Sequence, residues 1–186
     1  MSRFIISGAP GSGKSALLTA LKQKGYFCLD NDIDLLIQEQ SQLMRGIFPW
    51  TNMRYFAQSC LGRMWKTHER STKHNQIVFF NQSIPDLMAY LRSEQIPIIP
   101  IYLDTYHNCH FYPVMFLCPI SNTTFPEENL AQAYTVQEML HLEELIKDTY
   151  TQLGFEIVSL TSGNPQKSLM QVIDKICMIE DEIQSD

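Results

Sequence analysis

Hydrophobic and polar positions along the chain follow two alternating rhythms: short unbroken apolar runs, and longer stretches with apolar residues three or four apart. The runs are RFIIS (3–7), YFCL (26–29), IVFF (77–80), VMFLC (114–118) and EIVSL (156–160). Runs of this kind predict short strands, and the fully apolar ones predict strands covered on both faces, as in parallel sheets. Between the first two, Ala16, Leu17, Ala20 and Leu21 recur at helical spacing up to a stop at Gly25. DNDIDLLIQEQSQLM (30–44) predicts a second helix with Asp30 or Asn31 as its N-cap. A third is expected over 52–72, with Met53, Phe56, Ala57, Cys60, Leu61 and Met64 on one face and Arg54, Arg63, Lys66 and Arg70 on others. Ser83 opens a fourth, with Pro85 in the first turn and Asp86 completing a pair that resembles a capping box. Thr135 and Glu138 cap a helix whose stripe is Met139, Leu142, Ile146, Tyr150 and Leu153, stopped at Gly154. Asn164-Pro165 begins a last helix, expected to end near Ile179. Residues 96–112, punctuated by Pro and rich in aromatics, read equally as an irregular loop or a short helix.

Strands that alternate with helices imply right-handed βαβ crossovers. The expected fold class is α/β, a three-layer α/β/α sandwich with a five-stranded parallel sheet. A chain of 186 residues that is 45% apolar suits one domain spanning residues 1–186. The N-terminal apolar stretch is too short for a signal-peptide core, and no run approaches the ~18 apolar residues of a membrane span. The expectation is a cytoplasmic protein with no membrane partner.

Charge is unevenly placed. Residues 1–93 hold 11 Lys/Arg against 6 Asp/Glu, residues 94–186 hold 3 against 14, and the net charge is −6. A second half this acidic argues against nucleic acid as the main partner, because phosphate backbones are held chiefly by Lys and Arg. The five scattered cysteines form no CxxC pair and suggest neither a disulfide framework nor a zinc site.

The chemistry enters with GAPGSGKS, residues 8–15, placed between the first strand and the first helix. GxxxxGK[ST] in that context is a phosphate-binding loop. Gly8, Gly11 and Gly13 let backbone N–H groups turn inward without Cβ clashes, and the positive end of the following helix adds to them. The expected nucleotide-binding residues are Gly8, Ala9, Pro10, Gly11, Ser12, Gly13, Lys14, Ser15 and Ala16. Lys14 is expected to stabilise the β- and γ-phosphates of ATP, and the Ser15 hydroxyl to take one Mg2+ position.

Turnover also needs a carboxylate near the metal and cations over the leaving charge. The end of IVFF, where such a carboxylate would stand, carries Asn81 and then Gln82. Here the chain resembles a family of small bacterial P-loop ATPases or kinase-like proteins, whose motifs run GGPGxGKTTL, FFDRGxPDxLAYL and YxxLGYxVVxL. The corresponding stretches are GAPGSGKSALL, FFNQSIPDLMAYL and YTQLGFEIVSL, in the same order and across nearly the whole chain. The resemblance implies the fold of P-loop nucleoside and nucleotide kinases. This chain departs from it at the Asp-Arg pair, replaced by Asn81 and Gln82, and in TFPEENLAQAYTVQE (124–138), which supplies none of the lid arginines such kinases often carry.

Substitute carboxylates are expected in LDNDID, at positions 30, 32 and 34. The segment is similar to the DxD of shikimate-kinase-like enzymes, which implies Asp30 with Ser15 on Mg2+ and Asp32 orienting the acceptor; the other reading is that these residues only cap a helix. Arginine would come from Arg54, Arg63 or Arg70, or from a neighbouring copy in a homodimer, and adenine would lie against TSGNPQ (161–166). Three functions remain open. The first is Mg2+-dependent phosphoryl transfer from ATP to a small acceptor or to water; the second is a catalytically degenerate module that uses ATP as a conformational or partner-binding switch; the third, an interaction domain that binds no nucleotide, requires the intact loop to be a relic.

Overall fold

The computed structural model describes residues 2–31, 33–120 and 134–185. Five strands, β1 (Arg3–Ser7), β2 (Phe27–Asp30), β3 (Val78–Asn81), β4 (Val114–Leu117) and β5 (Glu156–Ser159), form one parallel sheet in the order β2-β3-β1-β4-β5. The helices are α1 (Lys14–Gln23), α2 (Ile33–Ser41), α3 (Pro49–Ser71), α4 (Ile84–Ser93), α5 (Pro100–His107), α6 (Val136–Gln152) and α7 (Pro165–Ser185).

Period-two alternation along β1 divides the core in two. Ile5 joins Met115 and Leu117 under α3, α4 and α6, with Met64, Leu87, Leu142 and Tyr150 among the buried contacts. Phe4 and Ile6 join Phe79 and Phe116 on the opposite face, under Leu17 and Leu21 of α1 and Leu169, Val172 and Ile176 of α7. The expected three layers are therefore present. Each fully buried side chain of this size contributes about 1.5–3 kcal/mol of transfer free energy.

Three elements differ from the sequence expectation. The second helix starts at Ile33, because β2 continues through Asp30, whose Cα pairs with Asn81. Asn31 is consequently no N-cap; its amide donates to the carbonyls of Asn81 (2.9 Å) and Gln82 (2.5 Å) instead. Residues 100–107, left open by the sequence, form α5, with Pro100 in its first turn, where the missing N–H costs nothing. The last helix runs past Ile179 to Ser185. Asp32 and residues 121–133, which include most of the arginine-free stretch, lie outside the described residues. No helix among the described residues is long and apolar enough to cross a membrane.

Candidate functional site

The central strand β1 ends at Ser7, and residues 8–13 wrap from there to the start of α1. Gly8 has φ +147°, and a Cβ on it would stand 2.4 Å from the carbonyl oxygen of Cys118, the residue after β4. Only glycine fits where two backbones pass this closely. Gly11 and Gly13 also have positive φ, at 75° and 88°. Gly13 is the N-cap of α1, provides no side-chain cap, and no acidic residue occupies the first turn. The N–H groups of that turn and the helix dipole thus present a positive end to an anion.

Lys14 is buried and curls back into the loop. Its Nζ donates to the carbonyls of Gly8 (2.8 Å) and Ala9 (2.9 Å) and stands 3.4 Å from Ser12 Oγ. Ala9 and Pro10 are buried beneath it, while Ser15 and Ala16 are exposed in the first turn of α1.

A carboxylate anchors the strand that feeds this loop. Asp86 in α4 is 1% exposed and accepts hydrogen bonds from the Ser7 hydroxyl, the Tyr150 hydroxyl (2.5 Å) and the Ser83 N–H (2.7 Å). Burial pushes its pKa up, while these donors and the nearby Lys14 charge pull it back. Burial, followed by the charge of Asp86, drives the Tyr150 pKa well above the usual phenol value. The sequence shows Asp86 only as a capping residue and Tyr150 only as part of an apolar stripe. The one hint it offers is a carboxylate flanked by otherwise apolar core positions.

The end of β3 is built from amides. Asn81 Nδ2 donates to Asp30 Oδ1 (3.1 Å), Gln82 N–H to the Ile6 carbonyl (2.9 Å), and Gln82 Nε2 reaches the Gly8 carbonyl at 3.5 Å. Gln82 holds φ +60°, an uncommon region for a residue with a Cβ. Asn81 Oδ1 is buried with no hydrogen-bond partner among the described residues. That orphaned oxygen, the Asp30 carboxylate and the Ser15 hydroxyl are hard donors of the kind Mg2+ prefers, so the residues here suit the metal. Of the other expected carboxylates, Asp34 lies in α2.

Opposite the amide cluster, Thr161, Gly163, Asn164 and Pro165 face Ser12, Gly13 and Leu17 around a cleft of about 120 Å3. The TSGNPQ segment therefore adjoins the phosphate loop. The arginines of α3 do not. Arg54 lines a hollow with Leu91, Ile96 and Tyr102, at the end of α4 remote from Ser83. Arg63 pairs with Glu39 of α2. Arg70 precedes Ser71, which accepts from Arg3 Nε (2.9 Å) at the start of β1, whereas the loop lies at its end. Within one chain, none of the three is brought to the phosphate loop.

A family model described as an AAA domain matches residues 3–167. Proteins named nucleotide-binding protein, from two strains of Acidithiobacillus ferrooxidans, are 49% identical over 43 residues, a match covering 23% of this chain and 14% of theirs. A deoxyadenosine kinase from M. mycoides, with dCMP and a flexible dCDP bound, superposes with a TM-score of 0.69 at 13% identity, covering 95% of this chain and 99% of that one. NadR in complex with NR superposes with a TM-score of 0.72 at 11% identity, covering 93% of this chain and 49% of the NadR chain. These structural likenesses establish the P-loop kinase fold.

Proposed function

We propose that this chain, which belongs to the AAA domain family and to the wider P-loop kinase-like NTPases, binds Mg2+ and ATP at residues 8–16 and transfers the γ-phosphoryl group to a small acceptor or to water. The observation that carries this reading is the Lys14 ammonium, folded into a three-glycine loop at the uncapped start of α1. Its bonds to the Gly8 and Ala9 carbonyls are exchanged for phosphate oxygens when nucleotide enters. Relatives named nucleotide-binding proteins, and a neighbour with bound deoxynucleotides, support a nucleotide as the ligand.

Ser15 and Asp30 hold the metal in this reading, with Asn81 Oδ1 as a further oxygen. When bound, Mg2+ supplies neutralisation of charge on the β- and γ-phosphates. Asp86 and Ser7 fix the end of β1, so the loop keeps its curvature. Asn164 and Pro165 border the base, and Asp32 orients the acceptor. Residues 1–186 act as a single domain located in the cytoplasm.

One observation favours the second reading, a module that binds ATP as a switch and does not turn it over. Asn81 directs its N–H groups at Asp30, Gln82 directs its own at Gly8, and the α3 arginines stand away from the loop. A supply of arginine from a second copy would restore catalysis.

Thermal unfolding with and without Mg·ATP tests nucleotide binding. At nucleotide a hundredfold above Kd, about 2.7 kcal/mol of stabilisation is expected, and Lys14→Ala should abolish it. Unchanged melting of the unmodified chain in millimolar Mg·ATP overturns the proposal. Phosphate release then separates the readings: turnover that rises with protein concentration supports catalysis by a homodimer, and binding without release supports the switch.

A further inference from the structure

A groove of about 1030 Å3 runs beside the edge strand β2, and none of the residues 8–16 lines it. At one end it reaches Asn31, just past β2; at the other it reaches Lys73, next to His74, whose ring lies on Phe27 at the start of β2. Its long wall is the C-terminal half of α3. We propose that this groove is a second anion site, which takes a small organic molecule bearing two or more phosphate groups.

Arg63, Lys66, Arg70 and Lys73 all line it, at helical spacings of three, four and three residues. Arg63, Lys66 and Arg70 share one face of α3, over roughly 10 Å, and Lys73 continues their line in the turn just past its end. Arg63 is paired with Glu39. Lys66, Arg70 and Lys73 are exposed and make no ion pair among the described residues, and Arg70 donates to Thr67 of its own helix (3.2 Å). Glu69 also lines the groove and makes no ion pair among the described residues. Like charges three and four apart destabilise a helix unless an anion lies across them.

A second, independent observation points to a ligand. His68 is 4% exposed and Asn31 is 2% exposed; both line the groove, and His68 Nδ1 and Asn31 Oδ1 are buried without a hydrogen-bond partner among the described residues. Buried polar atoms are rarely left unpaired, and each calls for a partner. Burial, with the Arg3 and His110 charges nearby, lowers the His68 pKa to about 4, so at neutral pH it contributes a hydrogen bond and no charge. The Asn31 oxygen accepts, so it requires a donor. A fully ionised inorganic phosphate brings none, whereas a hydroxyl or amino group on an organic phosphate does. The ligand accordingly has phosphates along the α3 cations and a donor at the Asn31 end.

A nucleic acid suits the site less well, because it needs a basic surface extending beyond one groove, and the second half of the chain carries 14 acidic residues against 3 basic ones. The proposal is independent of nucleotide binding at residues 8–16.

Calorimetric titration with fructose 1,6-bisphosphate and with inorganic tripolyphosphate tests it, using the full chain and its Lys14→Ala variant. One-to-one binding of the bisphosphate is expected in both chains, weakening as salt is raised. The exposed triple variant Lys66→Gln, Arg70→Gln, Lys73→Gln should bind at least tenfold more weakly while keeping its melting temperature. Absence of binding, or equal binding by the triple variant, overturns the proposal. Loss of binding in Lys14→Ala alone would assign the phosphates to the loop and overturn it too. Tighter binding of single-stranded oligonucleotides, increasing with their length, would replace it with a nucleic-acid surface.

Discussion

Tyr150 and Asp86, 64 positions apart in the chain, meet in the protein interior, where the phenol donates to the carboxylate at 2.5 Å. The same carboxylate holds Ser7, so a helix of the outer layer is latched to the strand that delivers the phosphate loop. Tyr150→Phe leaves a buried acceptor short of one donor and should cost about 1–3 kcal/mol in urea unfolding. The pH dependence has a definite sign. The folded-state pKa of Asp86 lies above its ordinary 3.8, so the stability linked to it is present in full below 3.8 and is lost as pH rises through the raised value. Removing a donor to the carboxylate raises that pKa further. The deficit of Tyr150→Phe should therefore be greater at pH 7 than at pH 4, and equal deficits would contradict this account.

Two glycines of the loop should respond differently to alanine. At Gly8 the new Cβ meets the Cys118 carbonyl at 2.4 Å, a backbone atom that cannot swing aside. At Gly13 nothing lies within 4 Å, and only the positive φ of 88° resists. Gly13→Ala should cost about 1–2 kcal/mol, and Gly8→Ala clearly more, with β1 and β4 forced apart. Comparable melting temperatures for the two variants would refute the close approach.

The amide pair after β3 offers a gain-of-function test. Asn81→Asp alone sets a second carboxylate within hydrogen-bond distance of Asp30, which should destabilise the chain and make it more responsive to Mg2+ than the unmodified protein. Combined with Gln82→Arg, it supplies a carboxylate and a cation together, and ATP hydrolysis should rise by ~10²–10³. A double variant that folds and binds ATP but hydrolyses it no faster would place the deficiency outside this pair.

Much of this was legible from local pattern. The continuous apolar runs located all five strands, and GAPGSGKS located the loop, because both signals are contiguous in sequence. What escaped was long-range or directional. Asp86 and Tyr150 look like a cap and a core residue until α4 and α6 are packed together. Asp30 read as a helix cap because nothing in LDND reveals that β3 extends the ladder to it. The α3 arginines were plausible loop partners by spacing alone, but the helix ends beside Arg3, at the far end of β1. Pro97 and Pro100 obscured α5, since a proline that begins a helix and one that prevents it look the same in sequence.

His68 provides an acid-sensitive element in the aromatic cluster with Trp65, Phe80 and Phe111. Burial, together with Arg3 and His110, lowers its pKa from 6.5 to about 4, so the unfolded chain takes the proton more readily than the folded one. The linked stability is present in full above 6.5 and is lost as pH falls towards 4. His68→Phe should flatten that limb of the stability curve, measured by denaturant unfolding at several pH values. An unchanged slope would show that other groups govern the acid limb.

The strand order also determines when this protein can begin to hold itself together. The middle of the sheet is made by a strand synthesised well before either of its neighbours, which begin only at Val78 and Val114. At ribosomal speeds of ~5–20 residues per second, Phe4, Ile5 and Ile6 wait roughly 5 to 20 s before both flanks exist. During that interval a nascent chain carries an unpaired strand with three consecutive large apolar residues, which makes this stage of translation a window of vulnerability to aggregation and one at which chaperones would matter most.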